Sequence, residues 1–119
     1  MDRRGYAKML ERSNLIYEYD GSFEGLLCCV FESYEKKQIP HDICMTDSAQ
    51  TTLFPVKEIY TDMQKAKRVR CSIPKKMGSQ ALGFVRRCFL TCLAQKELYI
   101  LLFLRLGYKH GPSVMNMLA

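Results

Sequence analysis

The sequence is short of several things that would identify a function at once. No apolar run exceeds seven residues, Leu98 to Leu104, whereas a bilayer-spanning helix needs about 20; a transmembrane helix is not expected. No apolar stretch follows the charged start Met-Asp-Arg-Arg-Gly-Tyr-Ala-Lys, so a secretory signal is not expected either and a cytoplasmic address is. No C-x-x-C pair occurs among the six cysteines, which argues against a zinc ribbon or a thioredoxin-type redox pair. Cys88 and Cys92 have helical spacing, but position 95, where a radical-type iron–sulfur motif would need a third thiol, is Gln. A glycine-rich phosphate loop is also lacking. Neither of the two histidines, His41 and His110, stands in a recognisable acid–nucleophile arrangement. No catalytic residue, cofactor or metal site follows from the sequence, and this chain alone does not read as an enzyme.

What is present is ordinary globular material with a lopsided charge. The 119 residues suit one domain, and 48 % hydrophobic with 25 % charged residues excludes wholesale disorder. The cysteines are expected as reduced thiols, with Cys28, Cys88 and Cys92 in apolar segments acting as small hydrophobes. The net charge of +6 conceals −3 over residues 1–60 and +9 over residues 61–119, where Asp62 and Glu97 are the only acids. Asymmetry of that size points to a polyanionic partner.

Residues 1–13 read as a charged appendage, leaving 14–119 as a single domain. Leu15–Tyr19 predicts a short strand ended by Asp20-Gly21. Ser22 then caps a helix to about Lys37, with Phe23, Leu26, Leu27, Val30, Phe31 and Tyr34 at buried-face spacing. Periodicity is lost from Gln38 to Val56, which predicts a long irregular connection. Val56–Tyr60 is a possible second strand. Thr61-Asp62 then opens a helix striped by Met63, Ala66 and Val69, expected to reach Cys71 and to be ended by Pro74. Ser79 is expected to cap a helix whose Leu82, Val85, Phe89 and Leu93 share a face. Glu97–Leu106 is apolar nearly all round, the mark of a central helix, and Pro112 allows a short terminal one. The expected class is α+β, predominantly helical, with one or two short N-terminal strands on four to five helices.

The segment Lys65–Lys76 holds six cations and no acid in twelve residues. Lys65, Lys67, Arg68, Arg70, Lys75 and Lys76, with Arg86 and Arg87, are therefore candidates for phosphate contacts on nucleic acid; the alternative is a solvated helix face. Arg105, at the end of the apolar helix, is expected to pair with a carboxylate, since a buried lone cation is costly; the alternative is that it reaches a phosphate or the surface. Gln50-Thr51-Thr52-Leu53-Phe54 resembles the Q-x-x-L-F peptide by which bacterial repair and replication proteins hold the sliding clamp. In such a peptide a Leu-Phe pair enters an apolar pocket while Gln fixes the register. The simpler reading, that Leu53 and Phe54 fasten the loop to the core, stands first.

Longer stretches resemble a family. Tyr17 and Tyr19-Asp20-Gly21-Ser22-Phe23-Glu24-Gly25-Leu26-Leu27 are similar to the opening of a bacterial domain-of-unknown-function family of DNA repair or DNA metabolism proteins. Phe31-Glu32, Tyr34, Lys37, Leu53-Phe54, Thr61-Asp62, Lys65-Ala66, Arg68-Val69, Phe89-Leu90, Leu104 to Lys109 and Gly111 continue the likeness in order. The resemblance implies an association with DNA repair and a radical S-adenosylmethionine (radical SAM) protein as partner; some relatives are fused to a uracil-DNA-glycosylase-like domain. Relatives usually run to about twice this length, so the likeness covers their N-terminal half. The family brings no established catalytic residues. The expected function is a nucleic-acid-binding accessory protein. The alternatives are a module that docks on the radical SAM enzyme and the inactive half of a longer repair enzyme.

Overall fold

The computed structural model describes residues 12–46 and 53–118. Its class is α+β and predominantly helical. A small parallel sheet has the strand order β2-β1-β3, with β1 (Ser13–Tyr19) in the centre, β2 (Pro40–Met45) on one edge and β3 (Val56–Glu58) on the other. Four α-helices follow the chain: α1 (Phe23–Glu35), α2 (Met63–Met77), α3 (Ala81–Phe89) and α4 (Lys96–His110), and a 3-10 helix spans Gly111–Leu118.

β1 ends where its local chemistry says it must. Gly21 takes φ +89°, a conformation closed to most side chains, and Ser22 accepts the Gly25 N–H at 2.9 Å to start α1. Gly25 to Val30 are all buried, so α1 is the central helix of the first half rather than a surface one. Lys37 in the left-handed region (φ +52°) turns the chain back into β2, and Gln38 donates to the Tyr17 hydroxyl at 2.8 Å. β1, α1 and β2 thus form a parallel strand–helix–strand crossover.

Tyr17 pairs with Ile43 in register, and Tyr17, Tyr19 and Ile43 are buried toward α1 and α4. The other sheet face carries Ile16, Glu18, Asp42, Cys44, Val56 and Glu58, of which only Ile16 is buried. α2 packs on α1, and α3 touches both α2 and α4. Gly107 lets α4 approach α2, because a Cβ there would fall onto the buried Met77.

Five expectations need correction. The segment 38–56 is not all irregular: 40–45 is an edge strand, and Pro40 is tolerated as its first residue because an edge leaves some N–H groups unpaired. Pro74 does not end α2. The helix continues to Met77 because Ile73 and Met77 are buried core residues, and Gly78 (φ +96°) ends it. Ser79 is not the cap of α3; Gln80 holds that place without a side-chain bond. α3 stops at Phe89, so Cys92 and Leu93 lie beyond it and are exposed, and Cys88 and Cys92 share no helix. Ser13 of the supposed appendage belongs to β1, and residues 1–11 lie outside the described residues.

Candidate nucleic-acid interface

α2 is capped by Asp62, whose carboxylate accepts the N–H groups of Gln64 (2.9 Å) and Lys65 (3.3 Å). Its buried stripe is Ala66, Val69, Ile73 and Met77; Met63, expected in that stripe, is exposed. On a helix of 3.6 residues per turn the opposite arc carries Gln64, Lys67, Arg68, Cys71 and Lys75, all exposed. Lys76 is exposed on one flank, where Lys65 is half-buried with its ammonium 5.2 Å from the centre of the Phe31 ring, and Arg70 is half-buried on the other. Arg86 and Arg87 are exposed in the last turn of α3, Arg86 lying 5.7 Å from the Phe23 ring centre. Lys75/Lys76 and Arg86/Arg87 both sit at helix C-termini, where the helix dipole favours cations.

The two acids of the second half have structural work. Asp62 is the α2 cap, and Glu97 is buried and accepts the Tyr19 hydroxyl at 2.6 Å. The surface of α2 and α3 is left without an acid past Asp62.

Beside α2 lies a cleft of about 470 Å³ between the end of α1 and α4, lined by Tyr34, Ile39, Leu102, Arg105, Leu106, Tyr108 and Lys109. Among the described residues Arg105 pairs with no carboxylate, contrary to expectation. Its guanidinium lies 4.4 Å from the Tyr34 ring centre and donates to the buried Ser33 hydroxyl at 3.3 Å. The flat cation is held by a π face and a hydroxyl, which relieves part of its desolvation cost without an anion. The Tyr34 and Tyr108 rings meet edge to face at 5.5 Å, and the hydroxyls of Tyr108 and Ser72 share a 2.5 Å hydrogen bond that ties the cleft wall to α2. Burial pushes the Tyr34 phenol up to about 12, against the opposing pull of Arg105, and burial also raises Tyr108. Both phenols are neutral near pH 7. Tyr34, expected in the buried α1 stripe, instead has a partly exposed ring on the cleft wall. The usable signal was Arg105 in a segment, 98–119, that contains no acid to receive it.

At the C-terminal end of the strands Asp20 accepts from the Ser22 N–H (2.9 Å), the Ser22 hydroxyl (2.6 Å) and the Thr61 hydroxyl (2.8 Å). Those bonds to the ionised form hold its carboxyl below the usual carboxylate range. A Cβ on Gly25 would meet Asp20, Ser22 and Thr61, so this glycine keeps the knot closed. Cys28, raised by burial, donates to the Asp62 carbonyl (3.2 Å) and accepts its N–H (3.3 Å), joining α1 to the α2 cap.

None of the six cysteines is in a disulfide, and among the described residues no three His, Cys, Asp or Glu side chains gather as metal ligands. His41 packs on Phe54 at 4.6 Å, while His110 ends α4 and its carbonyl accepts from Ser113. Of the clamp-like peptide, Gln50 lies outside the described residues. Phe54 is half-buried against His41, and Leu53 is 99 % exposed rather than fastening a loop to the core. Among the described residues no helix is long and apolar enough to cross a membrane. Comparison with protein-family models, curated proteins and solved structures gave no match.

Proposed function

We propose that this protein is a cytoplasmic nucleic-acid-binding accessory protein of a DNA repair or DNA metabolism system. The observation that carries this reading is the acid-free surface of α2 and α3, on which Lys67, Arg68, Lys75, Lys76, Arg86 and Arg87 are exposed while Asp62 and Glu97 are engaged elsewhere. Each phosphate neutralised by such a cation releases counterions, so affinity should fall with salt. The link to repair comes from the motif resemblance. Charge reversal of Lys67 and Arg68 together is expected to weaken DNA binding and to lower the log–log salt slope by about two. Unchanged affinity and slope in that variant would contradict the assignment.

A second reading is a module that docks on a radical SAM partner. It is favoured by two exposed apolar side chains, Leu93 and Tyr99, on a hollow also lined by Phe84, Val85, Cys88 and Phe103. Co-purification of the two proteins after nuclease treatment would support it. The display of Leu53 likewise supports a sliding-clamp contact, which a pull-down unchanged by Leu53→Ala with Phe54→Ala would remove.

A further inference from the structure

We propose that the cleft between α1 and α4 receives an unpaired base of a single-stranded nucleic acid, layered on the Tyr34–Arg105 stack. This rests on the nucleic-acid reading above and specifies which form of nucleic acid is taken. The first argument is size. A space of about 470 Å³ falls in the ordinary range of ligand clefts, ~300–1,000 Å³.

The second is the chemistry of the lining. A nucleotide has a flat, weakly polar face, a polar edge and an anionic backbone. The cleft offers Ile39, Leu102 and Leu106 as apolar walls, a guanidinium lying over the Tyr34 ring 4.4 Å from its centre, and two neutral phenols. Lys109 stands one helical turn after Arg105, and no lining residue is acidic. Glu32 of the adjoining helix forms an ion pair with Lys57. Stacking on aromatic rings and arginine planes is how single strands are held without sequence preference. A purely apolar ligand would leave the Arg105 charge without a counterpart.

The third is continuity with the basic helix. Tyr108 is tied to Ser72, and Lys65, Arg68 and Lys76 lie seven and four residues before and four after Ser72, on the same side of α2. A strand whose phosphates follow that flank passes the mouth of the cleft. A base inside a duplex must first be unstacked and unpaired, at a cost in free energy, so the cleft favours nucleotides that are already unpaired.

The test uses the full chain and short DNA oligonucleotides with 2-aminopurine at one position. The unaltered protein is expected to prefer single-stranded over double-stranded DNA and to quench the probe on binding, a readout that needs no variant. Arg105→Lys keeps the charge and loses the plane. It is expected to weaken single-strand binding by about tenfold and abolish the quench, with an unchanged salt slope. Equal affinity for both forms with no quench would overturn the cleft assignment while a preserved salt slope left the basic face standing. Binding of free dAMP as tight as that of the oligonucleotide would overturn it in favour of a small-molecule site. Absence of all DNA binding would remove the nucleic-acid reading and the cleft assignment together.

Discussion

Ser22 closes a strand and opens a helix within one residue: its hydroxyl donates to Asp20 and accepts from the Gly25 N–H. Ser22→Ala leaves one helix N–H and one carboxylate lone pair to solvent. It should lower stability by about 1 kcal/mol, measurable as a shift of the urea midpoint at constant m-value. The tyrosines set a second residue-scale expectation. Burial pushes Tyr17 up to about 12, Tyr34 to about 12 and Tyr19 further still. Folded values above the unfolded value of about 10 mean that the folded state binds more protons at high pH. Their stabilising contribution is therefore complete below about pH 10 and is lost as pH rises toward 12 and beyond. Thermal melts from pH 8 to 12 should show a falling midpoint above pH 10 with cooperative tyrosinate absorbance. Midpoints flat to pH 12 would contradict the buried phenols. The turn, the cap and the α1 stripe up to Phe31 were legible because each is a local event, whereas Tyr34 is exposed. The role of Arg105 was not, because its partners Ser33 and Tyr34 lie about seventy residues away in the chain.

At the scale of elements, the sheet is parallel yet has helices on one face only among the described residues. Ile16 and Val56 share the other face with Glu18, Asp42 and Glu58. Parallel sheets are usually covered on both sides; β1 was readable as a strand because Leu15–Tyr19 is rich in strand formers and is closed by Asp20-Gly21. β2 was missed because Pro-His-Asp-Ile-Cys-Met lacks such a run and starts with proline; its pairing with β1 is a tertiary matter. Pro74 misled for a similar reason: burial of Ile73 and Met77 outweighs a single missing N–H. The sheet is joined to α4 by the bond from Tyr19 to Glu97. Tyr19→Phe alone strands a buried carboxylate and should destabilise by about 2 kcal/mol. Tyr19→Phe combined with Glu97→Leu should recover much of that loss in a double-mutant cycle, whereas strictly additive effects would show that the two side chains do not interact.

Over the whole molecule the decisive property is where charge is left unpaired. The −3 of the first sixty residues includes Glu32 paired with Lys57, Asp20 in its knot, and Glu18, Asp42 and Glu58 on the sheet's outer face. The +9 of the second half includes the exposed cations of α2 and α3. Charge asymmetry and the basic run were plain in the sequence. The adjoining cleft was not, because it is assembled from residues 33–39, 72 and 102–109 by the packing of α1, α2 and α4. The most direct test of the central claim is an equilibrium titration of single-stranded DNA across salt concentrations from low to physiological. With half of the eight candidate cations engaged, log K should fall against log salt with a slope of about −3, from ~0.7 per phosphate on a single strand. An affinity that does not change with salt would contradict the account.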